Sequence, residues 1–302
     1  MRNAHGRVYG KMVKLILDTD IGPDCDDAFA LAMLNSFQNK GLCEILCVTH
    51  CTSNEYGAGC ADAINKFYGN KIPVGTLEKE GFLCDDNCKK YNKFITENFN
   101  NDFKTKKAQS AVELLRKTLS EAKEKSVVFV SIGPLVNLSN LLNSPPDKIS
   151  KLNGKELVKE KVRFLSCMAG TLNGKEYNII CDINAAMNVC ENFNTEIIFS
   201  TFEVGEKIIT GRDLSFLSPN NPVRAAYDLY APSGRNSWDL TSAWHAVKGC
   251  EPFFEFSERG HLSTNPDGTN TWTKNKNGSH RYLVIKADIN EIENGFERVL
   301  DE

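Results

Sequence analysis

After a short polar stretch the chain opens on an apolar run, residues 13–17, that ends at Asp18. Apolar positions then recur with helical spacing over residues 28–34, so the pattern reads strand, acidic loop, helix. The alternation continues with a strand at 43–49, a helix at 58–68, a short strand at 72–74 and an amphipathic helix at 111–122. Residues 127–132 are apolar and β-branched on both faces, the pattern of a strand buried inside a parallel sheet. Gly133-Pro134 ends that strand, and a helix begins near Val136. Further strands fall at 162–168 and 196–200, and the Gly-, Asn- and Thr-rich stretch 260–278 reads as a hairpin before a last strand at 281–285. The prolines within 143–147 and 218–223 mark turns rather than boundaries. Together these elements predict an α/β fold: a single domain over 12–302 with a mostly parallel central sheet flanked by helices. Residues 1–11 carry Arg2, His5, Arg7 and Lys11 but no hydrophobic pattern, and read as a loose leader.

Charge and cysteine content narrow the partners. A formal charge of −3 over 302 residues gives no electrostatic footprint for nucleic acid or an anionic membrane, and no apolar stretch is long enough to cross a bilayer. The 11 cysteines are odd in number and no apolar segment follows Met1-Arg2-Asn3, so reduced thiols in the cytoplasm are the simplest expectation. Cys43, Cys47 and Cys51 recur every fourth residue, as do Cys84 and Cys88, yet there is no C-x-x-C pair and only five histidines accompany them. That spacing argues against structural zinc.

The chemistry lies in the acidic loop. Asp18, Asp20, Asp24, Asp26 and Asp27 fall within ten residues, after a buried strand and at the start of a helix. Helix capping requires one aspartate, not five. Carboxylates converging on one point raise one another's pKa unless a cation lets them stay ionised, and oxygen ligands favour calcium or magnesium over zinc. The carboxyl ends of parallel strands are also where α/β sheets bind ligands.

The segment Asp18-Thr19-Asp20-Ile21-Gly22-Pro23-Asp24-Cys25-Asp26-Asp27-Ala28-Phe29-Ala30-Leu31 resembles the defining motif of the inosine-uridine-preferring nucleoside hydrolases, Asp-x-Asp-Pro-Gly-x-Asp-Asp-Ala-x-Ala. Two extra residues separate the glycine from the paired aspartates, so either Asp24 or Asp26 takes the first paired position; Asp26 with Asp27 leads directly into the helix. Four further segments are similar to the family's, in the same order. They are Ser53-Asn54, the stretch from Val130 to Leu138, Met168-Ala169-Gly170 with Glu176-Tyr177-Asn178 and Asp182, and Ser237-Trp238-Asp239.

The resemblance implies a nucleoside hydrolase fold with a Rossmann-like core, and hydrolysis of the N-glycosidic bond of ribonucleosides to free base and ribose. It implies Ca2+ held by Asp20, Asp27, Asp239 and the Ile132 carbonyl, carrying the attacking water, with Asp20 as general base. By the same match Asp26, Asn54, Glu176 and Asn178 bind the ribose. Trp238 stands where broadly specific members have a histidine that serves as leaving-group acid; it is a base-stacking candidate. His245, in the following helix, is expected to be structural. The family's His-Gly-x-x-Gly lid is not found in 81–91. The partner implied is a small-molecule nucleoside or related riboside, and the setting a homo-oligomer in cytoplasmic purine or pyrimidine salvage. Two other readings compete: a haloacid-dehalogenase-like phosphatase with Asp18 as nucleophile, and a riboside-binding homologue that keeps the calcium site with weak turnover.

Overall fold

Alternate residues of the first apolar run point into different cores. Leu15 and Leu17 join one hydrophobic cluster and Ile16 another, as a strand does when helices cover both faces of its sheet. The strand at 127–131 divides the same way, Val128 and Val130 on one side, Val127 and Phe129 on the other.

The computed structural model describes residues 12–301; the expected leader at 1–11 lies outside the described residues. In chain order its elements begin β1 (Val13–Thr19), α1 (Asp26–Asn39), β2 (Cys43–His50), α2 (Gly57–Phe67), β3 (Val74–Thr76), α3 (Tyr91–Asn98), β4 (Gln109–Ser110) and α4 (Ala111–Glu121). Next come β5 (Val127–Ser131), α5 (Val136–Asn143), α6 (Gly154–Lys161), β6 (Val162–Met168), β7 (Asn173–Gly174), α7 (Tyr177–Cys181), α8 (Ile183–Asn192) and β8 (Glu196–Ser200). The chain continues through α9 (Phe202–Gly205), β9 (Ile209–Thr210), α10 (Pro222–Tyr230), β10 (Arg235–Asn236), α11 (Trp238–Lys248) and β11 (Phe254–Phe256). It closes with β12 (Gly260–Thr264), β13 (Asn270–Lys274), β14 (His280–Ile285) and α12 (Ile289–Asp301).

The main sheet runs β4-β3-β2-β1-β5-β6-β8-β14 in parallel, then β12-β13-β7 antiparallel, with β11 paired to β14. The hairpin expected over 260–278 is β12 and β13, with Gly260 opposite Lys274. The last strand does not extend that hairpin alone: β14 inserts beside β8, His280 against Ile197, and so completes the parallel portion. The short strand expected at 72–74 sits later, at Val74–Thr76, where pairing of Val48 with Val74 sets its register. The strand expected to reach residue 132 ends at Ser131, although the Ile132 amide still donates to the Asp18 carbonyl at 2.9 Å. The proline turn near 222 opens α10, where the Asn221 side chain accepts from the Val223 amide at 2.8 Å and Pro222 fills the first turn.

Helix α1 packs on α11 and α12, so two N-termini separated by some two hundred residues of chain are brought to one end of the sheet. No helix among the described residues is long and apolar enough to cross a membrane.

Candidate active site

The carboxyl ends of β1, β5 and β6 meet the first turns of α1 and α11 around a cavity of about 580 Å³. Asp20 comes from the end of β1, Asp26 and Asp27 from the first turn of α1, and Ile132 from the residue after β5. Glu176 and Asn178 come from the N-terminus of α7, and Trp238 and Asp239 from the first turn of α11. These eight residues line one space. Asn54 does not: it lines a neighbouring cavity, and its Oδ1 accepts from the Tyr56 amide at 2.9 Å and the Asn92 side chain at 3.3 Å.

Among the described residues, one group of carboxylate, thiol or imidazole ligands lies close enough to share an ion: Asp26, Asp27 and Asp239, within 4.8 Å of one another. Asp26 Oδ2 accepts the Asp239 amide at 3.0 Å, which ties α1 to α11, and Asp27 Oδ1 accepts the Thr19 hydroxyl. The structure thereby separates the two aspartates that the insertion left ambiguous. Asp26 belongs to the trio; Asp24 turns to Arg235, whose Nε lies 2.9 Å from both carboxylate oxygens and whose Nη2 lies 2.5 Å from Oδ2. Tyr91 holds the Asp24 carbonyl through its hydroxyl at 2.5 Å.

Burial, opposed by a backbone hydrogen bond and reinforced by the neighbouring Asp24, Asp18 and Glu176, pushes the Asp20 carboxyl up to about 8. Burial likewise drives Asp26, Asp27 and Asp239 well above the usual carboxylate range, and the charges of Asp20 and Asp24 push each of them further. Four buried carboxyls facing one space cannot all ionise unaided, whereas a divalent cation permits it. Their all-oxygen donor set, with the Ile132 carbonyl, fits a hard cation.

Glu176 is the N-cap of α7. Its Oε1 accepts from the Asn178 amide at 2.8 Å, and its Oε2 from Gly170 at 2.8 Å and Ile179 at 3.3 Å. Burial raises its pKa against those three donors. Asn178 Nδ2 donates to the Met168 carbonyl at 3.0 Å, which fixes the side-chain amide at the cavity wall. Trp238 donates Nε1–H to the Phe202 carbonyl at 3.0 Å and stacks on the Phe202 ring, centroids 5.5 Å apart.

Asp18 takes no part. It is fully buried, its Oδ1 accepting from Thr49 at 2.5 Å and Asn137 at 2.8 Å, so it does not reach the cavity as a phosphatase nucleophile must. His245 is also buried, with Nδ1 2.9 Å from Ser166 Oγ, and burial lowers it to about 4. Sequence reading gave no role to Phe202, Tyr177, Tyr230, Lys90 and Arg235, which also line the cavity. The signal available was aromatic residues just beyond strand ends; the long-range pairing had none.

Fold and site together describe an α/β protein with an acidic ligand crevice at the carboxyl edge of its sheet. The chain belongs to the inosine-uridine preferring nucleoside hydrolase family, whose profile matches residues 15–265. Among solved structures it is similar to the inosine-uridine preferring nucleoside hydrolase from Bacillus anthracis, with 17% identity, 96% of this chain and 99% of that one covered, and a TM-score of 0.71. It is similar to the purine-preferring ribonucleoside hydrolase from Gardnerella vaginalis, with 19% identity, 95% and 98% coverage and a TM-score of 0.73. It also resembles the type III effector protein XopQ, solved in complex with adenosine diphosphate ribose, with 14% identity, 96% and 92% coverage and a TM-score of 0.62. No curated protein matches the chain.

Proposed function

We propose that this protein hydrolyses the N-glycosidic bond of ribonucleosides to free base and ribose with calcium at the carboxylate cluster. The observation that carries the reading is the convergence of Asp20, Asp26, Asp27, Asp239, Glu176 and Asn178 on one cavity in a chain of this family. Asp20, Asp27, Asp239 and the Ile132 carbonyl would hold the cation, and the closeness of Asp26 to Asp27 and Asp239 favours its sharing the shell or orienting the vicinal diol. When bound, calcium supplies fixed positive charge and Lewis acidity, under which these carboxylates ionise. Asp20 removes the proton from the water that attacks C1′, while Glu176 and Asn178, locked by backbone hydrogen bonds, orient the sugar. Carboxylates around the ribose also suit the positive charge that develops at C1′ as the base departs. Asn54 is left out of this shell, since its oxygen serves Tyr56 and Asn92. With the reading go the homo-oligomeric state, the cytoplasmic setting and the salvage role that the family resemblance implies.

A second reading, a riboside-binding protein with weak turnover, is favoured by the lack of any imidazole among the described residues lining the cavity. Incubation with a ribonucleoside panel, with and without chelator, followed by a reducing-sugar assay, separates the two. The hydrolase reading expects ribose release, lost on chelation and reduced at least about 100-fold in Asp20→Asn. Calorimetric calcium binding with no ribose release from any nucleoside supports the binding protein instead.

A further inference from the structure

We propose that Arg235 stabilises the departing nucleobase, acting as a fixed hydrogen-bonding cation where other members of the family use an imidazole acid. The inference rests on the hydrolase reading above. When the C1′–N bond breaks, its electron pair goes to the base, which leaves as an anion unless a proton or a positive group meets it. Among the described residues lining the cavity the positive groups are Lys90 and Arg235. Lys90 lies on an exposed segment, with Nζ 4.8 Å from the Tyr230 ring centroid.

Arg235 is held far more firmly. Asp24 grips its Nε and Nη2 at 2.5–2.9 Å, and its guanidinium lies 5.0 Å from the Trp238 ring centroid and 5.9 Å from that of Tyr230. Nη1 takes no part in the ion pair, and the side chain remains 33% exposed in the cavity wall. A planar fork fixed on one edge and open on the other is a preorganised donor, and fixed donors aimed at developing charge cost no reorganisation during reaction. The aromatic wall gives the same picture. Trp238 is engaged by Phe202 and by Arg235, so it serves as a backing for the guanidinium and for Phe202.

Because arginine keeps its proton, the step balances without an acid in the wall. The water oxygen bonds to C1′, its proton passes to Asp20, and the C1′–N electron pair leaves on the base beside Arg235. The base then takes a proton from solvent and Asp20 returns one. Asp24 is a positioning residue: it holds the fork, and the pairing keeps its own charge compensated beside the cluster.

The test compares inosine, whose base is a poor leaving group, with 4-nitrophenyl β-D-riboside, whose phenolate leaves unaided. Removing Arg235 alone would strand the Asp24 charge, so the informative protein is the charge-neutral double variant Asp24→Asn/Arg235→Gln. It should lose about 100-fold in kcat/KM on inosine but less than about 5-fold on the nitrophenyl riboside, with calorimetric calcium affinity within about 3-fold of wild type. Arg235→Lys, which keeps the charge and loses the fork, should fall between on inosine. Equal losses on both substrates, or no loss on either, overturn the assignment. If the wild type cleaves neither substrate, the hydrolase reading falls and this inference falls with it.

Discussion

A β-carbon at Gly133 would lie 2.7 Å from Asp20 Oδ1, 2.7 Å from Cys51 Sγ and 2.8 Å from the Asp20 amide nitrogen. Only a residue without a side chain lets the turn after β5 approach Asp20 so closely. Gly133→Ala should displace the Asp20 carboxylate, lowering kcat/KM on nucleosides about 100-fold at a stability cost of about 1–3 kcal/mol. Steady-state kinetics beside thermal unfolding would check this, and an unaltered kcat/KM would show that Asp20 tolerates the shift. At this scale the sequence is legible where chemistry crowds: five aspartates in ten residues announce an acidic cluster, and three of them, Asp20, Asp26 and Asp27, line the cavity as buried carboxyls. It is not legible where burial sorts them. Asp18 is made structural by Thr49 and Asn137, 31 and 119 positions away, and Asp24 is drawn off by Arg235, 211 positions away. Nothing in a ten-residue motif encodes those partners. The surroundings of Asn54 were equally hidden: its Oδ1 accepts from Asn92 of α3, 38 positions away.

Elements buried on both faces are the most legible, because continuous apolar runs such as Val127–Ser131 have few alternative homes. The two-residue strands β4, β7, β9 and β10 carry no pattern of their own and exist because neighbours supply a ladder. Helix α12 differs: its buried Ile292, Phe296 and Val299 recur at helical spacing, so a 3.6-residue period was there to be read. Contacts between elements are invisible in any single segment, and the site depends on one of them. Gly205, at the end of α9, packs against the start of α11, where an added β-carbon would lie 2.3 Å from Trp238 Cα and 2.4 Å from Cδ1. Backbone yields less readily than a flexible side chain, so Gly205→Ala should displace the first turn of α11, and Asp239 with it, from its place beside Asp26 and Asp27. The expected result is a calcium affinity at least about 10-fold weaker, with a loss of about 1–3 kcal/mol in stability. Calorimetric titration of the folded variant decides it. Unchanged affinity would mean that α9 moves and α11 does not.

At the scale of the whole molecule, the fold places four acids where they destabilise it unless a cation is bound. The Asp20 carboxyl, ordinarily near 3.8, is held up to about 8, and Asp26, Asp27 and Asp239 are raised well above their usual range. Between those limits the folded state keeps protons that the unfolded chain has released, so without metal the stability falls as pH rises. Buried His50 and His245, lowered from 6.5 to about 4, act in the opposite sense, since there the unfolded chain binds more protons and stability rises with pH. Their window closes near 6.5, which leaves the carboxylates to dominate above it. In chelator, the melting temperature should therefore drop by about 5 °C or more between about pH 6.5 and about pH 8. Calcium, competing with those protons for the same oxygens, should flatten that slope and stabilise the protein most at the alkaline end. Differential scanning calorimetry at the two pH values, with calcium and with chelator, gives four melting temperatures. A chelated protein equally stable at both pH values would mean that the four carboxyls lie farther from one another, or nearer to water, than the packing of α1 on α11 requires.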